Sequence, residues 1–129
     1  MLARLRAFSA GGLLCLVLCL AVLVLAPSMA AAAEVLQVRS PSLLLVGDSN
    51  RTYTVELACM APIASERDQA LAWLRGQLPR RSRVNLRPIG NRDGILLARV
   101  QKLGSSEDVS RGLIEAGFAD PQDDPAACQ

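Results

Sequence analysis

The chain has 129 residues, a net charge of +2 and no histidine. The surplus charge is carried by Arg4 and Arg6, so the remainder is balanced, which excludes a strongly basic nucleic-acid binder held by bulk electrostatics. The missing imidazole excludes a His-ligated metal and any triad that uses histidine as its base.

Residues 1–33 read as a targeting segment. Arg4 and Arg6 form a short basic region, and the Leu/Val run from Leu13 to Leu25 has the length of a signal-peptide core. Ser28-Met29-Ala30 and Ala31-Ala32-Ala33 both offer the small-x-small pattern of a cleavage site, just after Pro27. A signal peptide removed near Ala30 or Ala33 is one reading. The other is an uncleaved membrane anchor, because residues 7–33 carry no charge and could span a bilayer. Cys15 and Cys19 follow leucines, where a lipidation signal needs a small residue. In both readings Arg4 and Arg6 stay cytoplasmic and the rest of the chain is exported, periplasmic or secreted unless anchored.

Residues 34–119 are expected to form one small domain. Val35–Val38 and Leu43–Val46 are short apolar runs separated by the turn signal Ser40-Pro41-Ser42. Gly47-Asp48-Ser49-Asn50 is a second turn, and Tyr53–Cys59 a third strand with Tyr53, Val55 and Leu57 on one face. Ser65 can cap a helix whose face holds Ala70, Leu71, Leu74 and Leu78, ended by Pro79, with Trp73 at the edge as core packing. Arg83–Arg87 alternates so that Val84 and Leu86 point inward while Arg83, Asn85 and Arg87 point out. A tight turn is predicted over Gly90–Gly94, then the longest strand over Ile95–Leu103. Ser105, Ser106, Glu107 and Asp108 open a second helix lined by Val109, Leu113 and Ala116, with Gly117 as its C-terminal cap and Phe118 folding back. The stretch 120–129 is acidic and Pro-punctuated, and is expected to be disordered. Cys59 and Cys128 could form one bridge in an oxidising compartment. A buried Cys59 beside a free tail Cys128 is the alternative.

The order strand, strand, strand, helix, strand, strand, helix predicts a mainly β domain, an OB-fold-like five-stranded barrel. That order, with the phrases "VELACMAPIA", "ALAWLRGQL", "NRDGILLARV" and "VSRGLIEAGFAD", resembles the staphylococcal nuclease, or thermonuclease-like, family over about Val35 to Asp120. The resemblance implies a calcium-dependent phosphodiesterase acting on DNA or RNA. In such a site carboxylates hold a hard cation, a glutamate activates water and two arginines offset charge on the phosphate.

The residues that would do this chemistry are mostly replaced. Glu56 stands where the first phosphate-binding arginine belongs. No aspartate lies between Met60 and Pro62, and Ile63 follows Pro62 where the family has its glutamate. Ile95 replaces the second arginine after Gly94, and Ser40-Pro41-Ser42 replaces the first-hairpin aspartate. Two functional readings follow. In the first, the domain is a catalytically degenerate, exported binding or interaction module for a protein or envelope partner, with no cofactor. In the second, it is a divergent metal nuclease with Glu56 and Arg92 as catalytic candidates and Asp48 and Asp93 as ligands for Ca2+. Arg80, Arg81, Arg83, Arg87 and Arg92 form the basic candidate surface, suited to weak nucleic-acid binding. Membrane contact is expected only through residues 7–33, if uncleaved.

Overall fold

A computed structural model of the chain describes residues 32–122 and residue 128. Most of the stretch read as a targeting segment, up to residue 31, and the acidic residues Asp123 and Asp124 lie outside the described residues. Among those described, no helix is long and apolar enough to cross a membrane.

Five strands close a mixed barrel: β1 (Ala33–Val38), β2 (Leu43–Asp48), β3 (Arg51–Leu57), β5 (Arg83–Arg92) and β6 (Ile95–Lys102), in the order β1-β2-β3-β6-β5. Neighbours are antiparallel except β3 and β6, which run parallel. A short strand β4 (Met60–Pro62) pairs with β7 (Ala119–Pro121) outside the barrel. Helix α1 (Arg67–Gln77) lies between β4 and β5 in the chain, and α2 (Val109–Glu115) between β6 and β7. This mainly β, five-strand barrel with two helices is consistent with an OB-like barrel.

Period-two alternation explains the barrel interior. Leu44 and Val46 of β2, Val55 and Leu57 of β3, and Ala98 and Val100 of β6 are all buried. In β1 the buried residues are Ala33, Val35 and Val38, and the last two are three apart, which strict alternation forbids. A register shift between Val35 and Gln37 supplies the extra residue that turns both inward. Ala70 and Leu74 of α1, with Leu78 at its C-cap, bury the helix's inner face in the same core, with Val109 and Leu113 of α2.

Several boundaries differ from the sequence expectation. Ala33, placed in the targeting segment by sequence, opens β1 opposite Val84 and is buried. β3 ends at Leu57 rather than Cys59, because Ala58 and Cys59 form a turn in which Cys59 has φ 68°. Ser65 does not cap α1: a 3-10 turn over Ala64–Glu66 leads into the helix, and no side chain caps it. The tight turn is not Gly90–Gly94. β5 continues to Arg92 through a bulge beside Pro88, and only Asp93 and Gly94 turn, with φ 52° and 80°. Two adjacent residues at positive φ are what a two-residue primed hairpin requires, and Asp-Gly meets that need at low cost.

The end of α2 matches its sequence signals. Gly117 N donates to Ile114 O at 3.0 Å and Phe118 N to Leu113 O at 2.9 Å, the paired bonds of a Schellman stop around Gly117 at φ 85°. Phe118 then meets Trp73 edge to face, with ring centroids 6.4 Å apart, so Trp73 packs against the core as expected. The acidic stretch is structured where it is described: Asp120 and Pro121 belong to β7, and Cys128 is disulfide-bonded to Cys59. Strand pairing and a covalent bond supply the order that composition alone did not suggest.

Candidate functional site

The corner where β3 gives way to β4 gathers most of the candidate catalytic positions. Glu56, near the end of β3, is half-buried at the barrel surface, and Arg92 ends β5. The Arg92 guanidinium lies 3.8 Å from Glu56 Oε2, with side-chain exposures of 68% and 31%. The two catalytic candidates are therefore brought together, but as each other's partner. An exposed pair at this distance contributes little to stability. It does reduce the net charge that either group presents.

Beside this pair the disulfide closes the corner. Cys59 follows β3 directly, and its bond to Cys128 joins residues 69 apart in sequence. Gln122 N donates to Cys59 O at 3.2 Å, which fastens the same segment a second time. The remaining cleft, about 190 Å³, is lined by Glu56, Cys59, Ile89, Arg92, Gln122 and Cys128 among others. Among the described residues its walls combine the Glu56–Arg92 pair, the disulfide and Gln122 with the apolar Leu57, Met60, Ile89 and Leu97.

The carboxylates nominated for a metal do not fit a calcium cage. Asp48 closes the β2–β3 hairpin opposite Arg51, and Asp93 forms the β5–β6 turn. They belong to separate hairpins. Among the described residues no three Cys, Asp or Glu side chains converge as a metal site would require.

The basic candidates divide into two places. Arg80 and Arg81 occupy the turn before β5, where Arg81 N donates to Val35 O at 2.7 Å. Arg83 and Arg87 are exposed on the outer face of β5, as the alternation requires. Arg92 is nine residues from Arg83 along an extended strand, about 30 Å at 3.3 Å per residue. It belongs to the corner, not to the cluster. The cluster is also partly answered, since Glu34 of β1 lies directly opposite Arg83.

Two residues outside the sequence nominations matter here. Arg99 of β6 donates from Nε to Asp108 Oδ2 at 2.5 Å, and Asp108 Oδ1 accepts from Ser110 N at 2.8 Å as the N-cap of α2. Both side chains are mostly buried, at 20% and 15% exposure. The spacing of Asp108 before Val109 signals the cap, but nothing local signals that its second oxygen holds Arg99. No family model matches the chain, and no curated protein matches it.

Proposed function

We propose that the chain is an exported, non-catalytic binding module built on a thermonuclease-like barrel. The observation that carries this reading is the chemistry of the corner. Where the resemblance puts a metal aspartate and a glutamate, this chain has no aspartate between Met60 and Pro62 and has the apolar Ile63, with the Cys59–Cys128 disulfide beside them. Glu56 would repel phosphate and is turned toward Arg92. Phosphodiester cleavage depends on charge stabilisation by a cation and positioned arginines. Among the described residues the corner gathers no carboxylate cluster for a cation, and its arginine, Arg92, faces Glu56.

The disulfide also supports export, because such bonds persist in oxidising compartments. Ala33 is buried in β1, so removal of a signal peptide after Ala30 would keep the barrel whole, whereas removal after Ala33 would take one of its residues. The partner class is a protein or envelope component. Nucleic acid is a weaker candidate, because the aromatic side chains Tyr53, Trp73 and Phe118 pack against the core rather than forming a stacking platform.

The test is a nuclease assay on the purified, oxidised chain with calcium and with chelator, using single-stranded DNA and RNA. No digestion is expected in either condition. Calcium-stimulated digestion abolished by Asp48→Ala or Asp93→Ala would establish the divergent nuclease instead. Amino-terminal sequencing of protein from the cell envelope tests export: a start at Ala31 is expected, and a start at Met1 would mean an anchor.

A further inference from the structure

The outer face of the β5–β6 ribbon and the segment entering α2 border an open cleft of about 620 Å³ with mixed polar and apolar walls, away from the corner. Its construction follows from register. The bulge in β5 sets Arg87 directly opposite Arg99, and Asn85 directly opposite Gln101. Opposed side chains on one face lie about 5 Å apart at Cβ, where like charges repel. Both oxygens of Asp108 are committed, one to Arg99 and one to Ser110 N. Exposed Arg87 has no carboxylate in ion-pair reach among the described residues. Gln101 Nε2 donates to Ser105 O at 2.6 Å, which fixes the amide and leaves its oxygen as an acceptor.

We propose that this cleft binds an anionic saccharide: an oxyanion, carboxylate or phosphate, carried on a chain of hydroxyl groups. The proposal rests on the binding-module reading and names its ligand class. Arg87 presents a planar fork that matches an oxyanion bidentately. Arg99 of the facing strand is paired with Asp108 and adds little net charge, so recognition of the anion falls to Arg87. The Asn85 amide both donates and accepts and the Gln101 amide oxygen accepts, which suits hydroxyl groups beside the anion.

Two other polymers fit less well. A single-stranded nucleic acid needs aromatic platforms, and no aromatic side chain lines this cleft. An extended peptide would add to an open strand edge. β5 pairs with β1 only at Arg83 and Val84, but beyond them its edge carries Pro88, which has no N–H, and the bulge. Both features discourage strand addition.

The test is calorimetric titration of the oxidised full chain, in mild detergent and physiological salt, with four probes. These are oligogalacturonate for the carboxylate, a phosphorylated oligomannose for the phosphate, neutral dextran, and oligo(dT). Binding of at least one anionic saccharide and none of dextran is expected, and the first two arms distinguish the oxyanion. Arg87→Ala and Asn85→Ala each weaken that binding by about tenfold or more, and Arg87→Lys recovers part of it. Failure of both anionic saccharides to bind, affinity unchanged in Arg87→Ala, or preference for oligo(dT) would overturn the proposal. The same samples are incubated with oligo(dT) and calcium. Digestion would sink the non-catalytic reading on its own, whereas absent saccharide binding without digestion would sink only the cleft.

Discussion

Asp108 holds Arg99 with one carboxylate oxygen and caps α2 with the other, so a single side chain joins the barrel wall to the second helix. The two functions are separable by substitution. Asp108→Asn keeps a good N-cap but removes the charge opposite a mostly buried guanidinium. Asp108→Ala removes both. Urea unfolding is expected to show a loss of roughly 1 to 2 kcal/mol for Asp108→Asn and roughly 2 to 4 kcal/mol for Asp108→Ala. Equal losses would mean that the cap contributes nothing.

Two alanine substitutions in α2 are expected to act in opposite directions. Gly112 faces Trp73, and a Cβ there would lie 2.7 Å from the ring's Cη2 atom. Alanine raises helix propensity by about 1 kcal/mol, but displacing a packed indole costs about 1 to 3 kcal/mol. Gly112→Ala is therefore net destabilising and shifts Trp73 fluorescence. Ser110 is 2% exposed, and its hydroxyl has no partner among the described residues. Ser110→Ala removes that buried group and favours helix, so it stabilises by about 1 kcal/mol. Thermal melts of the two variants give both signs directly.

The disulfide between Cys59 and Cys128 closes a long loop, with 69 residues of separation. Constraining an unfolded chain over that length is worth about 2 to 4 kcal/mol. Cys128→Ser, or reduction of the parent, should lower stability by that amount in denaturant titrations. β7 should persist in the reduced protein, because its three pairs with β4 do not depend on the bond. Hydrogen exchange at Ala61 and Asp120 checks this second point.

Glu107 and Glu115 face one another across the start and end of α2. The hydrogen bond from Glu107 to Glu115, and then the like charge of Glu115, raise the Glu107 carboxyl above its ordinary value of 4.5, with Arg111 opposing. A raised carboxyl binds its proton more tightly in the folded chain than in the unfolded one. Its contribution is thus complete below the ordinary value and lost as pH rises through the raised one. Glu115→Gln should flatten that part of the profile. Melting temperatures of parent and variant, compared across the acidic range, should diverge in the variant's favour as pH rises.

The hydrophobic alternation made the barrel strands legible, and the apolar stripe of Ala70, Leu74 and Leu78 marked the first helix. The register of β5 and β6 was not legible. From Arg92 opposite Ile95 to Gly90 opposite Leu97 the pairing is regular, and then the bulge shifts it by one. Without that shift Arg87 would oppose Val100 instead of Arg99. A bulge depends on how the whole ribbon curves, so no local motif announces it. The Cys59–Cys128 bond was undecided for a similar reason. Acidic composition near the tail suggested disorder, while β7 is held by pairing with a strand far away in sequence.

Glu34 lies opposite Arg83, and Glu56 lies 3.8 Å from Arg92, so each end of β5 has a carboxylate that offsets an arginine. Nucleic-acid affinity driven by phosphate neutralisation depends on how many cations are available to release counterions. The parent chain is therefore expected to bind single-stranded DNA weakly and to lose that binding near physiological salt. Neutralising both carboxylates in Glu34→Gln with Glu56→Gln makes two further cations available. If both then meet phosphate, the slope of log affinity against log salt should steepen by about 1.4, or about 0.7 per contact. Arg83 and Arg92 stand about 30 Å apart, so a short oligonucleotide reaches only one of them and should show half the change. Fluorescence anisotropy with labelled oligonucleotides of two lengths measures both slopes. An unchanged slope in the double variant would mean that β5 does not face nucleic acid at all.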